Sequence, residues 1–120
     1  MIFIGIRNDF GIEPSHPKAE LDIVTVKDAI YDLIYEDSDL IFNENTRTSR
    51  VMKVTIPGMT DPKHHSHVKL SWNEPSRTLL KDFLGYFHFW HPEVHRPLTL
   101  REWSRISSFT DFFKWTDKKN

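Results

Sequence analysis

The chain has 120 residues, of which 38% are hydrophobic and 13% aromatic, with 16 basic against 17 acidic side chains. That balance excludes a disordered chain, and the length holds about one domain. Cysteine is absent, which excludes disulfides, Cys–zinc sites and a thiolate nucleophile, and no apolar run approaches the roughly 20 residues that a membrane-spanning helix needs.

Met1–Ile6 (MIFIGI) is a continuous apolar run and reads as a strand buried on both faces, as in a parallel sheet. It lacks the basic start and long apolar stretch of a signal peptide. Residues 10–20, with Gly11, Pro14 and Pro17, read as loop. Thr25–Tyr35 reads as a helix: Thr25 caps it, Asp28 stands three residues on, and Val26, Ala29, Ile30, Leu33 and Ile34 keep helical spacing. Arg50–Ile56 and His67–Trp72 alternate apolar and polar residues, the pattern of half-buried antiparallel strands. A loop of about ten residues, marked by Pro57-Gly58 and Asp61-Pro62, joins them. Thr78–Leu80 is a short strand candidate, and the aromatic stretch Phe83–Trp90 fits helix or strand. Leu98–Phe109 reads as a helix with Thr99 and Glu102 in a capping box. Leu98 and Trp103 form a hydrophobic staple, and Trp103, Ile106 and Phe109 the buried stripe.

The near-neutral total hides an asymmetry. Residues 20–45 carry eight acids and one base, whereas residues 46–81 carry seven bases and two acids. A window of +5 with three added histidines serves a polyanion, although a mixed surface divided at convenient points would look the same. His64, His65 and His67 lie close together; two of them, two apart in a strand, could share a metal, but a third ligand has no obvious source. Solvent-facing or polyanion-contacting histidines are the plainer reading. The four glycines, at 5, 11, 58 and 85, are too scattered for a phosphate cradle, and no nucleophile elbow or metalloprotease helix occurs. These features argue against an independent enzyme and give neither a catalytic residue nor a metal site.

Four segments, in order, resemble the C-terminal half of the DNA (cytosine-5)-methyltransferases of restriction–modification systems. Met1–Asp9 resembles the strand after the family's Gln-Arg-x-Arg motif, and Val24–Leu33 the helix leading into the target recognition domain. Leu70–Leu79 is similar to the recognition-domain segment with a Pro-Ser-x-Thr core. His91–Phe113 is similar to the ninth motif, matched by Arg96, Leu98, Thr99, Arg101, Glu102 and Arg105. Ser107 and Phe109-Thr110-Asp111 depart from that motif's Gln and Phe-Pro-Asp, and the lost proline loosens the turn after the helix.

The resemblance implies an α+β fold. Residues 37–90 would form a small β-rich target-recognition domain. It would be flanked by a strand and helices (1–36) and a ninth-motif helix with tail (91–120) that in the family belong to a Rossmann-like methyltransferase domain. The family's cofactor loop, Pro-Cys nucleophile, Glu-Asn-Val and Gln-Arg-x-Arg motifs would precede Met1, and its Gly-Asn-x-Val motif would follow Asn120. The expectation is therefore a C-terminal fragment or subunit of a bacterial, cytoplasmic enzyme. It would contribute DNA recognition without catalysis, since no thiolate can attack a flipped cytosine, and S-adenosylmethionine would bind only in the missing part. Rival readings are a stand-alone DNA-binding module and a self-associating interaction protein. Expected DNA contacts are Arg47, Arg50, Lys53, Lys63, His65, His67, Lys69, Arg77, Thr78 and Lys81. Arg96, Thr99, Arg101, Glu102 and Arg105 would brace the recognition domain against the catalytic one, or simply form a capped, solvated helix. Expected partners are double-stranded DNA, a catalytic subunit, and a second copy through residues 1–6, whose strand edges would otherwise stay unpaired; a membrane is not among them.

Overall fold

The computed structural model describes residues 2–19, 22–35, 41–79 and 88–114. Regular structure begins with a 3-10 turn at Asn8–Phe10, followed by helix α1 (Val26–Ile30), which runs on as a second 3-10 turn, Tyr31–Leu33. Among the described residues, helix α2 (Arg47–Val54), strands β1 (Val68–Lys69) and β2 (Phe89–Trp90) and helix α3 (Leu100–Ile106) follow.

Both capping boxes form as the sequence implies. Thr25 Oγ1 accepts the Asp28 N–H at 3.3 Å while the Thr25 N–H donates to the Asp28 carboxylate at 2.8 Å. Thr99 and Glu102 repeat this at α3, at 3.2 and 2.8 Å. Helix N-termini leave donors without intrahelical partners. At α1 two of these, on Val26 and Lys27, reach the carbonyls of Glu74 and Trp72 at 2.9 and 3.1 Å, so the helix start is anchored on the chain that follows β1. Helix α3 ends in a left-handed closure: Ser108 has φ 65°, the Phe109 N–H reaches Ser104 O and the Ser108 N–H reaches Arg105 O. Glycine usually occupies that position.

Two strands expected from the sequence do not form. Residues 2–6 form no strand; they are irregular and exposed, with Ile2 76% and Phe3 87% accessible. An apolar run becomes a strand only where another segment pairs with it and covers it, and among the described residues none does. Residues 50–54 are not a strand either but the last turns of α2, with 55 and 56 irregular beyond it. Thr46 accepts the Ser49 N–H at 3.1 Å, and Ser49 and Met52, three apart, are the buried pair. Val54 and Ile56, which the alternation would have placed beside Met52, are 81% and 71% exposed.

Alternation does hold at Val68, Leu70 and half-buried Trp72, but the pairing is parallel, Val68 to Phe89 and Lys69 to Trp90. Antiparallel contact is limited to single bridges, Thr60 with Val68 and Trp90 with Pro97. Gly58 supports the Thr60 side. Its φ of 89° belongs to the left-handed region, and its N–H meets Lys69 O at 2.7 Å. Thr78 and Leu79 are irregular, and the rest of the Thr78–Leu80 and Phe83–Trp90 candidates before His88 lies outside the described residues.

One core gathers side chains from 1–36, 37–90 and 91–120 alike. Val26, Ile30, Leu33, Val68, Leu70, Phe89 and Leu98 are buried together, with Ala29, Trp72, Leu79, Trp103 and Ile106 packed against them. Phe109 does not extend the α3 stripe inward; it is 39% exposed and tilts against Phe113. Among the described residues, no helix is long and apolar enough to cross a membrane.

Candidate nucleic-acid interface

Helix α2 and the 61–67 loop bring most of the expected basic residues together. Arg47, in the first turn of α2, donates to both oxygens of Asp61, at 2.7 and 2.9 Å. The Asp61 carboxylate is completely buried and also accepts the Lys63 and His64 N–H groups, at 2.8 and 3.3 Å. The Arg47 guanidinium and these amides hold the Asp61 carboxyl well below the usual carboxylate range against the opposing effect of burial. Arg47 is thus an anchor: it fastens the loop carrying Lys63, His64 and His65 to the start of α2.

Other bases are also engaged. Lys69 Nζ lies 3.4 Å from Met52 O near the end of α2, and Arg77 Nη2 lies 3.4 Å from Gly58 O. Arg50, Lys53 and Lys63 are exposed and have no side-chain partner among the described residues. Arg50 and Lys53 stand three apart on α2, on one face. His65 and Thr78 are exposed, and Lys81 lies outside the described residues.

His65 and His67 do not form a pair. His67 is half-buried and meets His64 and His88 edge to face, with ring centroids at 5.7 and 4.7 Å. Burial, then the neighbouring His88 and His64, push the His67 imidazole below its ordinary pKa. No group of three His, Cys, Asp or Glu among the described residues is placed to hold a metal. The described glycines do not gather into one loop. Gly5 and Gly11 stand in exposed segments with open space around their Cα atoms, and Gly58 serves a turn.

The expected bracing residues act within the chain. Arg96 and Glu102, both buried, form a two-point ion pair at 2.7 and 2.7 Å. Arg96 also donates to Pro97 O at 3.1 Å. Burial raises the Glu102 pKa, but Arg96 and the Thr99 N–H more than offset it, and the carboxyl lies below its ordinary range. His91, also buried, accepts the Glu93 and Val94 N–H groups on Nδ1 at 3.1 and 2.9 Å. That fixes the proton on Nε2, which points 3.7 Å from Glu102. Burial lowers the His91 pKa to about 4, so the ring is neutral at pH 7. Arg105 donates to both Asp32 oxygens at 2.6 and 2.7 Å and to Asp111 at 2.8 and 2.6 Å; Arg101 joins Asp111 at 3.0 Å. These ties lock α1 to α3 and to the turn beyond it.

Sequence reasoning passed over Asp61, His91, Asp32 and Asp111. Asp61-Pro62 signals a turn and says nothing of Arg47, fourteen positions earlier. It also passed over Phe42, which meets Trp90 edge to face at 5.6 Å while His95 stacks on Trp90 at 5.2 Å.

Similarity gives the arrangement a context. Neither a family model nor a solved structure matches the chain. Over an alignment of 138 positions that takes in 92% of the chain, it is 30% identical to the type II methyltransferase M.Eco47II of Escherichia coli. The chain is thus similar to part of a type II methyltransferase. It spans 33% of that protein's length, so the similarity reaches only a part of the methyltransferase.

Proposed function

We propose that the chain is a DNA-recognition part of a DNA cytosine-5 methyltransferase, corresponding to the target recognition domain and ninth motif and carrying no catalytic group of its own. The observation that carries this reading is the exposed cationic set Arg50, Lys53 and Lys63, on a helix and a loop joined by the Arg47–Asp61 pair, whose carboxylate is buried. It lies within a chain similar to a methyltransferase over 92% of its own length but only 33% of its relative's. Ligand-free cations on a braced helix and loop suit phosphate contact, and phosphate contact supplies most non-specific affinity for DNA. The chemistry would come from a partner or region that holds the thiolate and S-adenosylmethionine, because this chain contains no cysteine.

Calorimetry with S-adenosylmethionine and an electrophoretic shift with duplex DNA test the reading together: DNA retention without cofactor binding is expected, and micromolar cofactor binding would overturn it. The exposure of Ile2 and Phe3 favours a second role for residues 1–6, association with another copy. Sedimentation of the chain with and without residues 1–9 checks this, and a monomer at high micromolar concentration would contradict it.

A further inference from the structure

At the start of α2, on either side of Arg47 in sequence, Thr46 and Thr48 help line a cleft of about 390 Å³ with Phe42, Asn43, His67, His88 and Trp90, within the size range of small-molecule sites. Its walls are aromatic and fixed. Trp90 is buried, with Phe42 against it edge-on and His95 stacked on it, and His95 in turn meets Ser49 Oγ of α2 at 3.0 Å. Its polar groups are few and varied. Asn43 Oδ1 is engaged by the Asn45 N–H at 2.9 Å, which leaves the amide N–H groups to donate. Thr46 and Thr48 supply hydroxyls on either side of Arg47. The Nδ1 atoms of His67 and His88 are buried without a hydrogen-bond partner. A flat ligand with both stacking faces and edge donors or acceptors suits such walls better than an aliphatic chain, which would leave these polar groups unanswered.

We propose that this cleft takes an unstacked nucleobase of the bound strand, slotted against Phe42 and the His67–His88 pair, while Arg50, Lys53 and Lys63 hold the neighbouring phosphates. The inference rests on the DNA reading above and adds a specific contact to it. Aromatic platforms beside a cationic groove are the general means of holding single-stranded nucleic acid, and Arg47, rooted between Thr46 and Thr48, ties the cleft rim to the basic loop.

The test compares a short single strand of mixed sequence with an abasic strand of the same length and charge, by fluorescence anisotropy at low salt. The base-bearing strand should bind about tenfold tighter. Thr48→Trp, which fills the cleft from the surface of α2, should erase that difference while leaving abasic binding unchanged, and Asn43→Ala should reduce it. Equal affinity for the two strands, or a preference that survives Thr48→Trp, would overturn the pocket and leave the DNA reading standing. Failure of both strands to bind would overturn both.

Discussion

Replacing Glu102 by glutamine keeps the size of the side chain and removes its charge. In the native chain that carboxylate accepts two bonds from Arg96 and one from the Thr99 N–H, all between 2.7 and 2.8 Å, and both partners of the ion pair are buried. The amide would leave the Arg96 guanidinium uncompensated in a site closed to water, a change that costs about 3–5 kcal/mol. Total stability for a chain of this length is about 6–18 kcal/mol at roughly 0.05–0.15 kcal/mol per residue, so a substantial fraction disappears. With a urea m-value of about 2 kcal/mol/M, the midpoint should fall by about 2 M. Replacing both Arg96 and Glu102 by methionine removes the two charges together and should be less destabilising than Glu102→Gln alone. A Glu102→Gln loss below about 1 kcal/mol, the scale of a solvated surface pair, would refute the reasoning, as would a double variant weaker than the single one.

Other outcomes follow from the same network. His91 has a folded pKa of about 4 against 6.5 for the free side chain; the unfolded chain takes up the proton first, so stability should be fully present above pH 6.5. It should then fall by about 3 kcal/mol towards pH 4, and His91→Asn, measured by urea titration across that range, should flatten the slope. Arg105→Ala should cost about 1–3 kcal/mol in thermal melts because it unties α1 from α3, part of the loss being screened at the exposed Asp32. Ser108→Gly relieves a left-handed backbone and should raise stability by roughly 0.5–1 kcal/mol in the same melts.

What could be read from the sequence was local. The two capping boxes each close over three residues, and the Val68–Leu70 alternation needs only its own strand to be recognised. At α2, Met52, Val54 and Ile56 imitate a strand; the competing signal, Thr46 with Ser49 and Met52 at helical spacing, decides the structure by burying Met52 alone of those three. Parallel pairing of β1 with β2 depends on segments twenty residues apart, beyond the reach of periodicity. The basic window was visible, but charge counting treats its members as equal. Contacts divide them: Arg47 goes to Asp61, Lys69 to Met52 O and Arg77 to Gly58 O, leaving Arg50, Lys53 and Lys63 among the described residues for a ligand.

The salt dependence of duplex DNA binding tests that division most directly. Three phosphate contacts correspond to a slope of log K against log salt of roughly −3. Anisotropy titrations across a salt series should give that slope for the native chain and a value near zero for the combined Arg50→Ala, Lys53→Ala, Lys63→Ala variant, in which the Arg47–Asp61 pair is untouched. No binding at low salt, or an unchanged slope in the triple variant, would contradict the assignment of this surface to DNA.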